Sequence, residues 1–297
     1  MKERIDNLHN AIFSMEVRER FEIVTLYLGV IGFLVHLLLI ALKDLDMLPI
    51  RPADGILDSP ISAIYTPFSF ILFYEVFLLL YHLHESFSRA VVKEFEIIAL
   101  IVVRRLFKDI SKLDNTEQWF TSKYNLQLGI DMLGFLLLFL LIYLFYRLRQ
   151  RSPDPPDSPN VRNFILMKKG LAVLLVPILL GLVIYSLTTW GIEIYQFNQG
   201  ILNELTDINY VFYDEFFTTL IIADVLILIM SFHYTYHYSQ LIRNSGFIVS
   251  TVLIRLSFTA SGLFNIILVV GGVLFGTLIL FIYNQIINTT YKMEEEY

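Results

Sequence analysis

The sequence predicts an all-α polytopic membrane protein of about eight transmembrane helices, arranged as two parallel four-helix repeats joined by a proline-rich cytoplasmic linker. Three observations predict it. The 297 residues are 56% hydrophobic and 17% charged, with a mean hydropathy of +0.63, whereas soluble domains carry about 25% charged residues. Several windows hold the roughly 20 apolar residues needed to cross about 30 Å of hydrocarbon. One stretch, RSPDPPDSPN (151–160), is too polar and too broken to belong to any helix pattern, and it falls near mid-chain.

The elements follow in order. Residues 1–21 are charged throughout, with no short apolar core before a small-residue cleavage site, so the first span is expected to direct insertion itself. Within them Ile5, Leu8, Ile12 and Met15 recur at three- and four-residue spacing, which suggests a short helix resting on the interface; a frayed tail is the alternative. Clear spans cover 22–42, 61–83, 126–147, 170–192, 215–233 and 262–284. Two weaker candidates, 91–108 and 244–260, carry charge inside an apolar background.

Charge bias between the spans sets topology. Segment 147–169 holds six Lys/Arg against two Asp and is expected in the cytoplasm. Segment 193–215 carries Glu193, Glu204, Asp207, Asp214 and Glu215 without any Lys or Arg, and is expected outside. Lys2, Arg4, Arg18 and Arg20 favour an inner N-terminus, and loop 43–60 is net acidic. Parity then requires 91–108 to cross. By the same reasoning 244–260 crosses if the acidic tail is cytoplasmic. The predicted location is a plasma (inner) membrane, with both termini in the cytoplasm.

Eight spans divide into two fours. Sliding the chain by about half its length aligns IIALIVVRRLF (97–107) with FIVSTVLIRLS (247–257), so that Arg105 falls on Arg255. One residue less of offset sets LFYEVFLLLYHLH (72–84) on IIADVLILIMSFH (221–233), matching Glu75 with Asp224 and His84 with His233. Rare polar matches carry this reading, since apolar matches between membrane segments arise by chance. An even number of spans per unit makes the repeats parallel. The predicted organisation is an N-terminal interfacial segment (1–21), a first repeat (22–147), a linker (148–163), a second repeat (164–285) and an acidic tail (286–297).

An ionised group in hydrocarbon costs at least about 2.5–3.5 kcal/mol and normally faces the bundle interior and a partner. Glu75, Glu96, Arg104, Arg105, Asp131, Asp224, Arg255 and Asn265 are therefore the candidate intramembrane polar residues. Matching depth at about 1.5 Å per residue along hairpins pairs Arg105 with Asp131, sets Arg255 level with Asn265 with Glu215 as a second candidate, and leaves Glu75 level with Glu96 and too far from Arg105 for contact. Two carboxylates at one depth would share a proton or cation. The structural alternative has Glu75 neutral and hydrogen-bonded, with Glu96 reaching the interface beside Lys93.

Other chemistry is sparse. The absence of cysteine removes disulfides, thiolate metal sites and cysteine nucleophiles. His84, His233 and His237 are the only metal or haem candidates, and no bis-histidine pair recurs at depth, so no cofactor or metal is expected. Neither GxSxG, HExxH nor a P-loop occurs, which argues against an enzyme. Gly271, Gly272 and Gly276 form a small-residue face suited to close helix packing, within the bundle or between subunits. The expected partners are the lipid bilayer, protons or small cations and a homo-oligomeric or membrane partner subunit, with no nucleic acid. Two functions remain: ion transport along a path lined by the intramembrane acids, or a non-catalytic scaffold or complex subunit whose charges are structural pairs.

Overall fold

In a computed structural model the described residues are 2–45, 47, 60, 62–110, 123–150, 159–199, 201, 208–234, 238–260 and 262–295. Every regular element among them is helical. The helices are α1 (Lys2–Ile12), α2 (Met15–Asp44), α3 (Tyr65–His82, entered through a 3-10 turn at Ser62–Ile64), α4 (Phe87–Ile110), α5 (Lys123–Arg149), α6 (Pro159–Asn198), α7 (Ile208–Tyr234), α8 (Tyr238–Ser257) and α9 (Leu263–Glu295).

Six helical segments are long and apolar enough to cross a membrane, and they coincide with the six clear spans read from the sequence, two of which overrun their segments by one residue at one or both ends. They belong to α2, α3, α5, α6, α7 and α9. Their outward faces carry bare apolar side chains such as Leu133, Leu136 and Phe139 on α5 and Ile184 on α6, a surface suited to lipid rather than water. Helix α6, at 40 residues, is roughly 60 Å long and so outreaches a single bilayer.

Helices α4 and α8 are not among the six; both are short of the apolar composition of the others because they carry the polar groups of the interior. Helix α4 packs against α3, α5 and α8, and α8 packs against α7, α9 and α4. Val91, Val92, Phe95, Ile98, Ile101 and Val102 of α4 are buried, as are Phe247, Ser250, Thr251, Ile254 and Ser257 of α8. The contact between α4 and α8 is accompanied by one between α5 and α9 and a smaller one between α3 and α6, which join the chain's first four long helices to the last four. Across this seam Phe145 meets Phe95 edge to face and Phe247 at a tilt.

The close approach of α8 and α9 depends on glycine. A Cβ at Gly272 would stand 2.7 Å from Ile254 Cγ1, one at Gly276 would stand 2.7 Å from Ser250 Oγ, and Ser250 Oγ donates to the Gly272 carbonyl at 2.6 Å. The small-residue face thus serves packing within the bundle at Gly272 and Gly276, while Gly271 faces open space.

The N-terminal residues form helix α1, in which Leu8 is exposed, as is Met15 at the start of α2. Helix α1 packs on α6, where Ile5 lies beside Gly170, while Phe13, just past its end, stacks on Phe77 of α3, and Ser14 then caps α2 by accepting from the Val17 amide at 3.2 Å. Asp6 pairs with Lys169 at 2.5 Å and Lys2 donates to Asn163 at 2.9 Å. One end of the bundle therefore gathers α1, the α3–α4 turn, the start of α6 and the end of α7, where Phe87 stacks on Phe164 and Phe164 meets Tyr234 at a tilt. The opposite end gathers Phe68 on Phe107 and Phe217 on Phe258.

Candidate functional site

Two clusters of opposite charge lie inside the helix bundle. In the first, Glu75 of α3 stands 3.0 Å from Arg104 Nη1 of α4, and the same nitrogen donates to the Phe68 carbonyl at 3.3 Å. Glu75 and Arg104 are 1% and 3% exposed, so neither can be solvated from outside. In the second, Arg255 of α8 holds two carboxylates at once. Its Nη1 donates to Asp224 Oδ2 of α7 at 2.5 Å and its Nη2 donates to Glu94 Oε1 of α4, also at 2.5 Å. Thr251 Oγ1, one turn back on α8, donates to the same Asp224 oxygen at 2.9 Å.

The two clusters share one relation: an acid midway along a helix and an arginine on the next helix in sequence. Depth counted along Cα positions separates these partners, and the contact arises from side-chain direction. Every side chain in an α-helix leans toward its own N-terminus. In an antiparallel pair the acid and the arginine lean toward each other, and the long guanidinium stem closes the remaining gap. Glu75, expected to lie too far from Arg105 for contact, is met instead by Arg104. Both acids have an arginine, and the arginine of α4 that meets the acid of α3 is Arg104 rather than Arg105.

The other candidates are distributed differently. Arg105 and Asp131 line one small cavity between α4, α5 and α9, with room for about one water molecule, and Asp131 accepts from Gln127 Nε2 at 3.0 Å. Arg255 meets neither Asn265 nor Glu215. Asn265 Nδ2 donates to the carbonyls of Ser257 and Ala260 and so closes the C-terminal end of α8, while Glu215 is exposed. Glu96 pairs with Lys93 at 2.8 Å, with both side chains 43% exposed.

His84 is brought to His9, ring centroids 4.7 Å apart and edge to face, and not to His233, which is exposed beside Tyr234. His237 lies outside the described residues. Lys168, buried near this histidine pair, donates to the Glu85 carbonyl and sits over the rings of Phe87 and Phe164. Among the described residues, no three His, Asp or Glu side chains come together as a metal site would require.

Glu94 is the member of these charge clusters that sequence reasoning passed over. A signal was present: Glu94 shares a helical face with Ile98 and Ile101, both buried, whereas Glu96 lies off that face. His9 carried none, because its burial depends on α1 folding back onto α6, a contact between segments more than 150 positions apart. No family model, curated protein or solved structure matches the chain.

Proposed function

We propose that the chain is a non-catalytic integral membrane scaffold or complex subunit, built as two parallel four-helix repeats whose interior charges fix the register of the central helices. The observation that carries this reading is the pairing itself. Glu75 with Arg104, and Asp224 with Arg255, neutralise the deepest charges by direct contact, and Glu94 ties α4 to α8. An ion path needs polar groups facing water; the small cavity at Arg105 and Asp131 accommodates about one water molecule and does not include the paired acids.

The repeat is supported by the correspondence of contacts: α4 meets α8, α5 meets α9, and each pair runs in the same direction past its partner, with Gly134 beside Ile266 and Leu148 beside Asn284. Eight crossings are supported by the segregation of contacts to two ends, between which α4, at 24 residues, and α8, at 20, are no shorter than the 18-residue apolar helix α3. The basic segment 147–169 then favours cytoplasmic termini.

Proton or cation movement is the second reading, favoured by one specific feature, the unequal charge of the Glu94, Asp224 and Arg255 cluster. Purified protein in liposomes distinguishes the two. The scaffold reading expects proton and potassium gradients to decay as slowly as in empty vesicles. Faster decay that Asp224→Asn or Glu75→Gln abolishes in folded protein would establish transport instead.

A further inference from the structure

We infer that the cluster formed by Glu94, Asp224 and Arg255 is a binding site for one proton, held on Glu94. The inference stands apart from the scaffold reading, since a site can hold a proton whether or not the protein moves one. Two carboxylates and one guanidinium carry a net charge of −1 when all are ionised, and the guanidinium does not give up its proton in proteins. All three groups are buried.

No other charged side chain among the described residues acts on the cluster. The charged and titratable groups on the surrounding helices are engaged elsewhere. Glu75 and Arg104 face each other between α3 and α4, Arg105 and Asp131 line the cavity between α4, α5 and α9, and Arg243 of α8 lies over the Tyr283 ring of α9. An unbalanced negative charge in an apolar interior is expensive, and one bound proton removes it.

A proton fits where a metal cation does not. The two terminal nitrogens of Arg255 already occupy the approach between the carboxylates, and a sodium- or calcium-like ion needs several more oxygens at close range beside that positive charge. The hydrogen bonds also choose the acid. Asp224 accepts from both Arg255 and Thr251, which favours its ionised form, whereas Glu94 accepts from Arg255 alone. Glu94 is the less buried of the two, with a side chain 11% exposed against 6% for Asp224.

Infrared spectroscopy of the purified protein tests this. A protonated carboxylic acid gives a carbonyl stretch above the amide band that moves on transfer to D2O. At neutral pH the wild type is expected to show such a band, Glu96→Gln to keep it, and Glu94→Gln to lose it. Isotope-labelled glutamate in the wild type is expected to shift the band, which excludes Asp224 and, with the loss in Glu94→Gln, assigns the proton to Glu94. Absence of the band, a band insensitive to the glutamate label, one lost in Asp224→Asn but kept in Glu94→Gln, or one erased by added sodium would overturn the assignment.

Discussion

Glu94 and Arg255, 161 positions apart in the chain, meet at 2.5 Å where α4 packs on α8. Each of these helices also holds an arginine engaged by an acid of the helix before it, so the α4–α8 contact is the place where two local pairs become one structure. Removing the arginine leaves Glu94 and Asp224 facing each other without a cation.

Arg255→Leu should therefore destabilise the protein by about 3 kcal/mol or more, the usual cost of stranding buried partners. Replacing Arg255, Asp224 and Glu94 together by apolar residues of similar volume should recover most of that loss. Unfolding of the detergent-solubilised protein under increasing denaturant measures both; a triple variant no better than Arg255→Leu would count against electrostatic origin.

The α8–α9 packing leads to a second expectation. Gly272→Leu drives a side chain into Ile254 and the Ser250 carbonyl, and overpacking of this kind costs about 1–3 kcal/mol. Gly271→Leu, which meets nothing within 4 Å, should be close to neutral in the same unfolding assay. Equal effects would mean that α9 presents a different face to α8.

The histidine contact at the α1 end gives a pH dependence. Burial, with His9 beside it, pushes the His84 imidazole down to about 4 from its usual 6.5. The unfolded chain therefore binds more protons between those values. Stability should be at its full value above pH 6.5 and fall as the pH drops toward 4, by at most about 1.4 kcal/mol per pH unit. The neighbouring Glu85 is held below the usual carboxylate range by its hydrogen bond to His82, so its contribution is lost only at lower pH. Thermal melts in detergent should show a flatter profile for His84→Phe than for the wild type between pH 4 and 6.5, and parallel profiles would remove His84 as the cause.

The sequence revealed the apolar helices and the importance of the charges between them, but not how the charges pair. An apolar run of about 20 residues states its own secondary structure and solvent, which is why the six clear spans coincide with the six long apolar helical segments of the structure. Pairing depends on side-chain direction as well as height. Counting Cα positions left Glu75 without an arginine, because it ignored the lean of every side chain toward its helix's start; Arg105 and Asp131, which it set together, do line one cavity. Glu94 was hidden by its neighbour Glu96: two residues, about half a turn of helix, send the first inward to Arg255 and the second outward to Lys93. His9 and Lys168 were beyond reach for another reason, since nothing local to either records that α1 returns to α6.

The pair between Glu75 and Arg104 offers the most direct test, because it is one acid against one base and both lie deep in the bundle. A double-mutant cycle with Glu75→Leu and Arg104→Leu, read as unfolding free energy in detergent, isolates their interaction. If the interior charges are structural pairs, each single change should cost about 3 kcal/mol and the double change clearly less than their sum. Strictly additive losses would contradict the pairing on which the proposed function rests.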